Sequence, residues 1–212
     1  MIIMVIHSER FLVMNKSKLG FLLLVVFSML GCTPEPYSAK VGFNNGSTTG
    51  KHSVYQMTLT TVSGGQANLS MGGVSSYPGA SSSGGRMDAP AHIEGRWDEG
   101  WSDEDKTSST PHHRISADIP KDAEAKMKLM DDYYQNFDRD YGSMQVIVDG
   151  PRVRVFYTKN CVDMYHDCTP KKDIDPNGWI VKSPKNKTDV VVLFDGIGES
   201  SKASFPNTEF AY

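Results

Sequence analysis

The chain has 212 residues, 39% of them hydrophobic and 22% charged, with a formal net charge of −3. That length and apolar content suit a domain with a real core. No concentrated basic face stands out, so nothing points to a nucleic-acid partner.

The N-terminal region reads first as an export signal. Lys16 and Lys18 form a short positive region, and residues 19–30 (LGFLLLVVFSML) are apolar apart from Gly20 and Ser28. A transmembrane helix needs roughly 20 apolar residues. This run has 12, which suits the core of a secretory signal. Gly31 and Cys32 follow at once, and M-L-G-C resembles the lipobox of bacterial lipoproteins. The resemblance implies a signal peptide over residues 1–31, cleavage before Cys32 and lipid attached to Cys32. Thr33, in a place where Asp is an inner-membrane retention signal, implies sorting to the outer membrane, facing the periplasm. Met14 is the expected start, because residues 1–13 add nothing that a signal needs. Residues 32–37 are the expected lipidated tether, and residues 38–212 a single β-rich domain.

Elements follow in chain order. Residues 41–45 and 52–62 are the first expected strands, with period-two alternation in the second and Asn45-Gly46 and Gly50 marking the turn between them. Residues 63–86 hold seven glycines and seven serines. Such chain loses much entropy on ordering. It reads either as a flexible surface loop around a short strand at 67–71 or as a partner-binding loop, with Tyr77 as its candidate anchor. Residues 90–97 and 113–119 are further strands. The acidic stretch between them (DEGWSDEDK) is a solvated turn, and Trp101 within it either anchors an interface or covers the edge of the core.

One helix is expected. Pro120 suits a first helical position, Asp122 and Glu124 favour the helix N-terminus, and Ala123, Met127, Met130, Tyr134 and Phe137 recur on one face. Gly142 is the expected stop. Residues 144–148 and 153–157 flank Asp149-Gly150 and read as a hairpin. Asn177-Gly178 precedes a strand at 179–181, and the apolar run 188–194 reads as a central strand covered on both faces. Seven to nine strands with one principal helix predict a mainly antiparallel, β-sandwich-like α+β fold.

Cys161 and Cys168 remain after Cys32. An exported chain meets an oxidising compartment, where such a pair closes a disulfide. Metal binding with His166 and Asp167 is the alternative, but C-x6-C lacks the usual zinc spacing.

No assembled catalytic motif is found. G-x-S-x-G is absent, as are H-E-x-x-H and the EF-hand pattern. His112 and His113 are adjacent on a strand and point to opposite faces, so they cannot grip one ion. Asp131-Asp132 reads as a solvated helix face. No metal, cofactor or enzymatic activity is therefore expected.

The segments VGFNNGSTTGKHSVYQMTL, GGVSSYPGASSSGG, APAHIEGRW, RISADIPKDAE and MQVIVDGPRVRVFY resemble, in order over about residues 41–157, the immunity lipoproteins of type VI secretion phospholipase effectors. That resemblance implies a membrane-tethered, periplasm-facing protein that binds and neutralises a toxic phospholipase. A structural or assembly lipoprotein of the envelope is the alternative.

Overall fold

The computed structural model describes residues 37–70, 72–101 and 110–206. The signal region, Cys32, Met71 and most of the acidic stretch after Trp101 lie outside them. Among the described residues no helix is long and apolar enough to cross a membrane.

The described chain is mostly strand, in two sheets, with one α-helix. In chain order the strands are β1 (Ser38–Gly46), β2 (His52–Thr61), β3 (Gln66–Asn68), β4 (Gly72–Val74), β5 (Ser81–Ser82), β6 (Arg86–Asp88), β7 (Pro90–Glu99), β8 (His112–Asp118), β9 (Tyr141–Asp149), β10 (Arg152–Thr158), β11 (Ile180–Lys182), β12 (Asp189–Ile197) and β13 (Glu199–Ser201). Helix α1 (Ala123–Asp131) lies between β8 and β9. One sheet runs β11-β12-β10-β9-β1-β5, with β6 also on β1; the other runs β13-β8-β7-β2-β3, with β4 also on β2. The expected sandwich-like α+β architecture is present. The strands in excess of nine are pieces of two or three residues, too short for periodicity to register.

Alternation builds the core. Met144, Val146 and Val148 of β9, Val153, Val155 and Tyr157 of β10, and Met57, Leu59, Ile93 and Trp97 of the facing sheet are buried in one cluster. A bulge between Val155 and Phe156 shifts the register of β10 against β12. It lets both Leu193 and Phe194 join that cluster. Helix α1 packs chiefly on β12 and β10, placing Ala123, Met127 and Met130 in the core.

Pairing is mainly antiparallel, but β1 and β9 are parallel over Lys40–Gly46 and Tyr141–Ile147. All of the second sheet except β13, together with α1, is threaded between them in sequence. β12 is covered on both faces, as expected. Val191 and Leu193 face the core, while Val190 joins Tyr77, Ile147 and Phe156 in a second cluster on the outer face. It is the second strand from the edge, with β11 beyond it.

Two expectations need correction. The helix ends at Asp131, short of Phe137, because the backbone of Tyr133 and Gln135 pairs with residues 169–171 instead. Gly142 does not stop a helix. It lies in β9, where a Cβ would collide with the Tyr157 ring.

The Gly/Ser-rich segment is ordered. It leaves β4 on one sheet, crosses to the other and pairs with the open edge of β1, through Asn45 N–H to Ala80 O (3.1 Å) and Val41 N–H to Gly85 O (2.9 Å). A Cβ at Gly79 or Gly84 would strike the carbonyl oxygen of Asn45 or Val41. Glycine is needed there for close backbone approach, not for flexibility. The edge of β1 would otherwise expose unpaired backbone, and the strap satisfies it.

Candidate functional site

The strand registers define two ends of the sandwich. Where β1 and β9 finish and β10 begins, the turn 47–51, the turn 149–151 and the end of β7 converge. Asp149 is the hub of this rim. Its carboxylate accepts from the Thr48 N–H (2.6 Å), the Thr49 N–H (3.1 Å), the Ser47 and Thr48 hydroxyls and the Arg154 guanidinium. Burial works against its charge, but the Thr48 and Arg154 hydrogen bonds outweigh that and hold the carboxyl below its ordinary range.

Two buried histidines stand beside it. The Gly150 N–H donates to His52 Nε2 (3.1 Å), so Nδ1 carries the proton toward Gly50 O (3.3 Å). Trp97 Nε1–H donates to Gly150 O (2.7 Å). His113 lies near the Trp97 ring, 5.5 Å between centroids. Its Nε2–H donates to Glu99 (3.2 Å), and its Nδ1 accepts from the Ser200 hydroxyl (2.9 Å). Burial pushes both imidazoles below their ordinary value. With every ring nitrogen engaged inside the protein, these histidines act as fasteners between turns.

An open cleft of about 600 Å³ lies against this rim, lined by Thr49, Lys51, His52, Glu99, Pro111 and Asp149 among others. Trp101 follows the cleft residue Gly100. Gly100 N–H bonds Lys51 O (2.7 Å), and Trp101 Nε1–H donates to Val74 O (3.0 Å). The Lys51 ammonium is 5.6 Å from the indole centroid. The ring lies over Gly73 and is still 45% exposed. It therefore both covers a sheet edge and offers a surface.

The other sequence candidates divide. Tyr77 is corrected: it is only 3% exposed, and its hydroxyl donates to Gln145 Oε1 (2.6 Å). It pins the Gly/Ser strap onto Ile147, Phe156 and Val190 and is not available as a partner anchor. Cys161 and Cys168 are joined as a disulfide. Cys32 lies outside the described residues. Asp131 is also corrected. It is no solvated helix residue, for the Tyr157 hydroxyl (2.6 Å) and the Tyr37 hydroxyl donate to it and the buried Lys159 lies 3.3 Å away. Burial, then the Asp131 charge, pushes the Tyr157 hydroxyl far above its ordinary value.

His112 and His113 do diverge, His112 Nδ1–H reaching Asp98 at 2.6 Å. Its Nε2 is 3.3 Å from the Ser204 hydroxyl, and Tyr55 donates to the other oxygen of Asp98 (2.8 Å). Carboxylate, imidazole and hydroxyl stand in the order of a nucleophilic triad. Ser204, however, sits on an exposed tail after β13, and not on a rigid turn that would aim it. Arg114 stacks on the neighbouring Phe205, 4.6 Å from its centroid. The array is a latch for the tail. Among the described residues no three His, Cys, Asp or Glu side chains are grouped to hold a metal ion.

Sequence reasoning missed the rim. Asp149 and Gly150 were legible as a turn, but their partners lie about 100 residues away in sequence. No family model, curated protein or solved structure matches the chain.

Proposed function

We propose that this chain is a lipid-anchored envelope protein that acts by binding, and that its target is a phospholipase-type effector which it neutralises. The observation that carries the binding role is the open cleft with Trp101 at its margin. A half-exposed Trp mounted on a hydrogen-bonded rim is the kind of rigid aromatic that anchors protein interfaces. The neighbouring histidines and Asp149 are committed to holding the rim in shape, which suits presentation of a surface. The identity of the target rests on the ordered resemblance over residues 41–157, and the anchor on the lipobox at Cys32. Lipid attachment concentrates an inhibitor where a phospholipase must work.

Co-expression tests the reading. Cells carrying the effector encoded beside this gene in the periplasm are expected to survive with the chain and die without it. Equal death in both would leave an envelope-assembly role in its place. Trp101→Ala is expected to weaken binding by about 2 kcal/mol. Cys32→Ser is expected to abolish lipid labelling.

A further inference from the structure

At the end of the sandwich opposite the cleft, β1 and β9 begin and β10 ends. Lys159 pairs with Asp131, which also holds Tyr37. Two residues beyond Lys159 the chain enters the disulfide-closed loop 161–168. That loop is ordered from within: Tyr165 N–H (2.9 Å) and His166 N–H (3.0 Å) both donate to Val162 O. It is also pinned from outside. Asn136 donates to Asp167 (2.6 Å), and the His166 ring stands edge-on to Phe137.

Such a loop has every means to hide apolar side chains, yet it displays them. Met164 is 80% and Tyr165 74% exposed, with Val162 exposed beside them. Tyr141, at the start of β9, is exposed separately, with its ring over Gly42 of β1. Exposed Tyr55, Val62 and Ile197 elsewhere are separated along the chain, and single apolar residues on a surface are ordinary.

The chain itself indicates what covers this end. Tyr37 is the first described residue, and it lies five residues on from Cys32 in sequence, with four between them. Even fully extended, five residues span no more than about 18 Å. If Cys32 carries lipid, as the proposed function holds, this end stays within that reach of the bilayer. The cleft end is set back from it by the length of β1, about 20 Å from Lys40 to Gly46. Tyrosine, with an apolar ring and a polar tip, favours the membrane–water interface.

We infer that the disulfide-closed loop 161–168 is a membrane-resting surface: Val162, Met164 and Tyr165 dip into the phospholipid interface and turn the Trp101 cleft away from it. This rests on the lipid-anchor part of the proposed function. Asp163 and Asp167 flank the apolar side chains, so zwitterionic headgroups suit the surface better than anionic ones.

The test uses the full lipidated chain in phosphatidylethanolamine–phosphatidylcholine vesicles, with Tyr165→Trp as the reporter. The emission added by the new indole is expected to be blue-shifted and quenched by dibrominated phosphatidylcholine. Adding Met164→Asp should reverse both effects without lowering the melting temperature, and anionic phosphatidylglycerol should reduce the quenching. Unquenched, solvent-like emission from chain that floats with the vesicles would overturn the proposal. So would an indole that becomes buried only on adding the effector, which would assign the loop to a protein contact. If the chain does not float because Cys32 bears no lipid, the anchor reading fails and this inference falls with it, a result that flotation alone identifies.

Discussion

Gly150 donates its backbone N–H to His52 Nε2 across 3.1 Å, which joins two turns that are 98 residues apart in sequence. The bond requires an unprotonated Nε2. The shape of the cleft rim is thereby linked to the protonation of one buried imidazole.

Acidification is therefore expected to loosen the fold in two stages. His52 and His113 titrate below their ordinary value because they are buried. Between that lowered value and the unfolded one, about 6.5, the unfolded chain binds more protons, so stability falls as pH drops through this window. Asp149 is held below its ordinary range. Its contribution is present above about pH 4 and is lost as pH falls through the lower folded value. Thermal melts from neutral to mildly acid pH should show the first stage. His52→Gln keeps an acceptor for Gly150 and should flatten it; an unchanged slope would remove His52 from this account.

Tyr77→Ala is expected to cost about 3–5 kcal/mol, because a large buried ring is lost and Gln145 loses its partner. Chemical denaturation measures this. The same assay on Trp101→Ala should register about 1 kcal/mol, the order of one lost hydrogen bond. Equal costs at the two sites would contradict the division between strap anchor and exposed surface.

Replacing Cys161 and Cys168 together by alanine is expected to lower stability by about 2 kcal/mol, since only a short loop is closed. Mass spectrometry of unreduced, exported protein should find the pair bonded. Two free thiols there would contradict the structure.

Ser204 should not react with a fluorophosphonate. Asp98 and His112 are held on β7 and β8, but Ser204 lies on an exposed tail, and a nucleophile needs a fixed aim as well as a base. A covalent adduct on Ser204, lost in His112→Ala, would make the array a hydrolytic site and displace the binding role.

What the sequence determined by itself is local. Period-two alternation marked β2 and β8, the Asp149-Gly150 turn marked the β9–β10 hairpin, and the apolar face of Ala123, Met127 and Met130 marked the helix. The two remaining cysteines marked a bonded pair, and all of this follows from neighbours in the chain. The parallel pairing of β1 with β9, the strap that hides Tyr77 and the rim that joins Asp149 to Thr48 were decided only in three dimensions. Each depends on groups from about 70 to about 100 residues apart, where hydrophobic period and turn chemistry carry no signal. The Gly/Ser-rich segment makes the difference plain. Its composition reads as loose chain, yet the open edge of β1 supplies the hydrogen bonds and the outer face of the sheet the apolar contact that order it.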